Sequence, residues 1–200
     1  IVMIIVGIPL GVISAIKRNS WIDHFSRMIS LVGISTPLFW LGLIVVYIFY
    51  FLLRWFPAPM GRLDPNLSPP TTITGMYILD SLLTGNWATL KSSIMHIALP
   101  AITLGFVNLA PVARMVRSVM LDVLNSEYIK AERVAGIPQR VVYKDALRNA
   151  MIPILTVIGL CFGYMMAGII VLEKVFSWPG MGLYALQAIA ANDNDPMQAY

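Results

Sequence analysis

The segment EYIKAERVAGIPQRVVYKDALRNAMIP, Glu127 to Pro153, sets Glu127, Lys130, Glu132 and Arg133 close together and follows them with Arg140, Lys144, Asp145 and Arg148. These groups can grip another charged surface through ion pairs and hydrogen bonds. They are not arranged for bond chemistry. The chain has no Gly-Lys pair, so a phosphate-binding loop of the P-loop type is excluded. With only His24 and His96, no HExxH zinc motif can form, and no G-x-S-x-G nucleophile turn occurs. Cys161 is alone, so it forms no disulfide within the chain and no metal site. Catalytic residues and a metal are therefore not expected.

The surroundings explain why charge is gathered there. Of the 200 residues, 58% are hydrophobic and 12% charged, about half the charge of an ordinary soluble domain. No formal charge lies between Arg27 and Arg54, between Lys91 and Arg114, or between Arg148 and Glu173. Each gap exceeds the roughly 20 residues that a helix needs to cross a bilayer. The reading is an all-α, polytopic helical membrane bundle forming one domain, 1–200. Its spans are expected near 1–16, 28–53, 94–113 and 150–172. The first run lacks the basic start and cleavage site of a signal peptide. It reads as a span whose beginning is cut off, and the whole as a piece of a longer polypeptide.

Lys and Arg gather on the cytoplasmic side of membrane proteins. Lys17, Arg18 and Arg27 fall in one loop, and Arg114, Arg117, Lys130, Arg133, Arg140, Lys144 and Arg148 in the loop 114–149 on the same side. Only Arg54, Arg62, Lys91 and Lys174 lie elsewhere. Both basic loops are expected in the cytosol, with 54–93 and 174–200 on the outer face. The net charge of +4 then needs no nucleic-acid partner.

Local signals fill in the elements. SWID, Ser20 to Asp23, fits a capping box with the Asp23 carboxylate reaching back to the Ser20 amide. Pro37 should kink the second span, and Ser35 and Thr36 can satisfy the freed backbone groups. Ser35, Thr36 and mid-span Asn108 are candidates for a pathway or for helix contacts. In the outer loop, MYILDSLL predicts a short amphipathic helix. After Glu173, the WPG turn of Trp178, Pro179 and Gly180 precedes an outer-face helix, LYALQAIAAN.

The helix leaving the membrane at Arg114 should continue to about Leu124, with Asn125 or Ser126 capping a new turn that opens on Glu127. Tyr128, Ala131, Glu132 and Ala135 share a face. Gly136 fits the residue just past the helix end, where φ is positive, and Pro138 the start of the next helix. Two roles are open for such an elbow. One is a basic helix pair lying on anionic lipid; the other is a docking knob for a cytosolic protein.

EYIKAERVAG followed by ALRNAMIP resembles the cytoplasmic EAA loop of bacterial ABC-importer permeases. GIPLGVISAIKRNSWIDHFSR, GISTPLFWLG, ALPAITLG, ARMVRSVMLDVL and VFSWPGMG are similar, in the same order, to the dipeptide and oligopeptide (B-type) branch. TTITGMYILDSLL points toward dipeptide permeases. The resemblance implies the type I ABC importer transmembrane fold, here without its first and last spans, in the bacterial inner membrane. It implies a non-enzymatic permease subunit partnered by a second permease, two cytosolic ATPases and an extracytoplasmic peptide-binding protein. The permease binds no cofactor, and ATP and magnesium are used by the ATPases. ATPase coupling would fall on Glu127, Tyr128, Lys130, Ala131, Glu132, Gly136, Ile137 and Pro138. Trp178, Pro179 and Gly180 would serve binding-protein docking. Glu132 departs from the family pattern, which has a small residue there. Related permeases carry nickel, glutathione or opines, and a membrane scaffold or channel without an ATPase is the reading from another class.

Overall fold

Charge-free stretches this long leave the backbone no partner but itself, so helices are the expected outcome. The computed structural model describes residues 1–191, without the side chains of residues 166–168. Among these residues no strand forms. The helices are α1 (Val2–Ile16), α2 (Trp21–Ser35), α3 (Leu38–Val46), α4 (Tyr77–Leu83), α5 (Trp87–Leu124), α6 (Glu127–Val134), α7 (Gln139–Val175) and α8 (Met181–Ala191). A π-helical turn, Tyr47–Leu52, continues α3.

Two described helices, α5 and the Gln139–Met165 part of α7, are long and apolar enough to cross a membrane. The pair Trp21–Ser35 and Leu38–Leu52 qualifies when taken together. The single kinked helix expected over 28–53 is therefore broken. Thr36 and Pro37 are both extended, the conformation favoured beside a proline. The Thr36 hydroxyl donates to the Val32 carbonyl at 2.7 Å. The expected spans 94–113 and 150–172 lie inside longer helices, and the first run forms a helix of 15 residues. Ile152, Leu155, Leu160, Phe162 and Tyr164 on α7 are exposed. Such an apolar surface suits lipid as its solvent.

The chain forms two compact units, whose boundaries fall at Thr36, within α5 and within α7. In the unit of Ile1–Thr36 and Gly105–Met166, Met3, Val112, Val116, Met120, Ile129 and Val142 share one buried cluster with Ala146, Ala150 and Ile154. Glycine lets α1 approach α5. A β-carbon on Gly11 would lie 2.6 Å from the Ala113 carbonyl oxygen and 2.6 Å from Val116 Cβ. Association through small residues is the usual solution for membrane helices, where water no longer drives packing.

In the unit of Pro37–Leu104 and, among the described residues, 167–191, Val45, Leu99, Leu172 and Phe176 form the buried centre. The predicted MYILDSLL helix is α4. Its Asp80 accepts from the Thr74 amide and hydroxyl and from the Gly75 amide. Burial pushes this carboxyl up, but the Thr74 donors and the Ile73 and Gly75 amides outweigh it, and the net shift is downward. His96 is buried. Its Nδ1 donates to the Ser92 carbonyl one turn earlier, at 2.8 Å.

Candidate functional site

Within the segment Glu127–Pro153, Ser126 stands at the N-cap of α6, but its hydroxyl donates backward to the Val123 carbonyl at 2.6 Å and caps nothing ahead. α6 lasts eight residues, too few to hold itself by propensity alone. Tertiary contacts hold it. Ile129 is 0% exposed and belongs to the buried cluster that contains Val142 and Ala146 of α7. The Asn149 side-chain amide donates to the Tyr128 hydroxyl at 2.9 Å. On the outside, Lys130 pairs with Glu127 at 2.7 Å, a contact in open solvent that adds little stability.

The end of α6 is a Schellman turn. The Ile137 amide donates to the Glu132 carbonyl and the Gly136 amide to the Arg133 carbonyl, both at 3.1 Å, with Gly136 at φ +76°. Pro138 immediately precedes α7, and its carbonyl accepts from the Val141 and Val142 amides. A β-carbon on Gly136 would meet no atom within 4 Å. The elbow therefore protrudes, and its glycine is required by backbone conformation rather than by crowding.

Glu127, Tyr128, Lys130, Ala131 and Gly136 are exposed, as are Ala135 and Pro138; Glu132 and Ile137 are half-buried. Two features were not anticipated from the sequence. Val134 is 89% exposed, a β-branched apolar side chain presented at the elbow. Glu132 Oε2 is buried without a hydrogen-bond partner among the described residues.

The same unit holds a buried ion pair. Asp23 is 0% exposed. Its carboxylate accepts from Arg117 Nε at 2.6 Å and from a terminal nitrogen of Arg117 at 2.8 Å. The Ser14 hydroxyl at 2.6 Å and the Asn19 amide at 3.0 Å also donate to it, and Arg27 lies 3.6 Å away. The Arg117 guanidinium holds the Asp23 carboxyl well below the usual carboxylate range; burial opposes the shift, and Ser14 and Asn19 reinforce it. The capping box is thus only half made. The Asp23 amide donates to the Ser20 hydroxyl at 3.4 Å, but its carboxylate turns away from the Ser20 amide. No spacing rule signals a partner 94 positions away.

Ser35 and Thr36 end α2 at its break, and Asn108 is half-buried midway along α5. In the second unit, the turn after α7 is fixed from several sides. The Trp178 amide donates to the Glu173 carbonyl at 2.8 Å. Arg62 donates to the Pro179 carbonyl and lies 5.9 Å from the centre of the Trp178 ring. The Glu173 carboxylate accepts from the Leu183 amide at 2.7 Å and occupies the space that a β-carbon on Gly180 would need.

Residues 7–200 match the model of the binding-protein-dependent transport system inner membrane component family. The chain belongs to that family. It is 48% identical over 191 residues to the probable D,D-dipeptide transport system permease protein DdpB of Escherichia coli K12, covering 95% of this chain and 56% of the relative. It is 46% identical over 197 residues to the dipeptide transport system permease protein DppB of Alkalihalophilus pseudofirmus, covering 98% of this chain and 59% of the relative. It is 39% identical over 197 residues to DppB of Escherichia coli K12, covering 96% and 58% respectively. The chain thus spans a little over half the length of these relatives. Family membership agrees with the all-helical architecture and the apolar spans.

Proposed function

We propose that this chain is the larger part of a permease subunit in an ATP-driven importer of dipeptides or oligopeptides. The observation that carries the reading is the 39–48% identity, across nearly the whole chain, to proteins named as dipeptide transport system permeases. The segment 114–149 faces the cytosol in this reading, because together with the loop of Lys17, Arg18 and Arg27 it holds ten of the fourteen basic residues. Glu127, Tyr128, Lys130, Ala131, Glu132, Gly136, Ile137 and Pro138 meet an ATPase subunit. The chain binds no cofactor; ATP and magnesium belong to two partner ATPases. A second permease completes the pathway, to which Ser35, Thr36 and Asn108 contribute. An extracytoplasmic peptide-binding protein docks near Trp178, Pro179 and Gly180.

The elbow suits coupling because it is exposed where a partner would sit and fastened where force must pass. A push on α6 reaches α7 through Ile129 in the buried cluster and through the Tyr128–Asn149 hydrogen bond. A flexible loop would absorb the same displacement.

The test is uptake of a labelled dipeptide by cells lacking the parent gene. Full-length permease should restore uptake that depends on ATP, while nickel and glutathione uptake should not change. Dipeptide uptake indifferent to the deletion would sink the reading. Cysteine introduced at Asn66 should be labelled by an impermeant reagent from outside, and cysteine at Asn125 should not.

A further inference from the structure

Beside the Asp23–Arg117 pair lies a cleft of about 320 Å³ lined by Arg27, Arg114 and Arg117, with Ser26 and Ser30 on its wall. Among the described residues the one carboxylate within ion-pair distance of these arginines is Asp23. That group is taken bidentately by Arg117 and touches Arg27 at 3.6 Å. Arg114 has no carboxylate within ion-pair distance among the described residues. Three guanidinium groups against one carboxylate leave a cleft with net positive charge. Its walls also include Leu31 and Ala113. Excess charge beside apolar walls is poorly screened and favours an anion.

The chemistry of the donors narrows the anion. Guanidinium forks match phosphate oxygens in pairs, and a phosphate offers enough acceptors to engage more than one arginine. The surroundings narrow its source. Arg114 is the first charge after the uncharged stretch that begins beyond Lys91, so the cleft opens where hydrocarbon gives way to headgroups. On α2, Trp21 is 76% exposed and stacks on exposed Phe25 with ring centres 5.4 Å apart. Met28 and Leu31 continue this exposed face. An exposed tryptophan beside apolar and basic groups is the signature of the membrane interface. We propose that the Arg27–Arg114–Arg117 cleft binds the phosphate of an anionic phospholipid headgroup, whose acyl chains run along the apolar face of α2.

The experiment uses full-length permease, purified and stripped of lipid, with phosphatidylglycerol, phosphatidylcholine or inorganic phosphate added and retention read by native mass spectrometry. Phosphatidylglycerol should be retained in preference to phosphatidylcholine, and millimolar inorganic phosphate should not displace it. Arg114→Gln should weaken retention by about fivefold, the effect of one basic residue at an anionic surface, while Arg114→Lys should keep most of it. Arg114 is exposed and unpaired with any described carboxylate, so these variants should stay monodisperse. Arg18→Gln, another exposed charge, should change nothing. Equal retention of the two lipids, or full retention in Arg114→Gln, would overturn the proposal. Displacement by inorganic phosphate would overturn the lipid source and leave a free-anion site.

Discussion

The Asn149 side-chain amide donates to the Tyr128 hydroxyl across 21 positions of sequence, joining the outer surface of α6 to α7. The bond is exposed, so its net worth is at the low end of the usual 0.5–1.5 kcal/mol, about 0.5 kcal/mol. Tyr128→Phe should therefore leave the thermal midpoint of the full-length permease nearly unchanged. Coupling is the more sensitive readout. Tyr128→Phe and Asn149→Ala should each lower peptide uptake per ATP hydrolysed, and the double variant should be no worse than the poorer single. Additive losses would mean that the two residues act separately.

Gly136→Val should separate folding from coupling. With φ at +76°, a side chain there costs about 1 kcal/mol in backbone strain, and a β-branched one more. A β-carbon there meets no neighbour within 4 Å, so backbone strain is the main cost. Insertion should remain nearly normal, while co-purification of the ATPase and ATP-driven uptake are lost. Lys17→Ala, in the other basic loop, should behave as the parent. Full ATPase binding by Gly136→Val would return the elbow to a lipid-anchoring role.

Removing Arg117 should cost far more stability than either change. Arg117→Gln leaves the fully buried Asp23 carboxylate with only the exposed Arg27, at 3.6 Å, as counter-ion, a loss of about 3 kcal/mol. The lower end of the range applies because Arg117 is 20% exposed. Thermal melting of full-length protein should report it. The pH dependence has a definite sign. Asp23 titrates well below its ordinary value of 3.8, so on acidification the unfolded chain takes up the proton first. The pair's stabilisation is complete above about pH 5 and drains away only as pH falls through 3.8 and below. A loss of stability between pH 8 and 6 that disappears in Arg117→Gln would contradict this assignment.

Glycines in the helices should sort by what surrounds them. Gly11→Ala puts a methyl group 2.6 Å from the Ala113 carbonyl oxygen and Val116 Cβ, and separating the helices should cost about 1–3 kcal/mol. Gly159→Ala and Gly163→Ala have nothing within 4 Å and should be neutral or slightly stabilising through helix propensity. Melting temperatures of the three variants check the order.

Local chemistry was readable in advance, and distant pairing was not. Gly136 followed by Pro138 announced the elbow, because few residues tolerate the conformation that ends α6. The uncharged stretches announced the long helices, because charge is what a bilayer excludes. The break at Thr36 and Pro37 went further than the predicted kink, since proline constrains its predecessor as well as removing a donor. Asp23 was misread because Ser20 lies three residues before it and suggests a local partner. Its three donors besides Arg27 are Ser14, Asn19 and Arg117, and the strongest of them is fixed by tertiary structure. Val134 gave no sequence signal, because an isolated valine on a short helix reads as part of its buried face.

The separation of Asp23 and Arg117 also sets a schedule. A chain grows at about 5–20 residues per second, so the 94 positions between them take about 5–20 s to synthesise. During that interval the carboxylate exists without its guanidinium. Ser14 and Asn19, already made, hold it from the α1 side. The α1–α2 turn can therefore wait beside the membrane with its charge half-satisfied until the far end of α5 emerges. Closing the Asp23–Arg117 pair then ties the start of α2 to α5 ahead of the α6 and α7 residues that fill the same buried cluster.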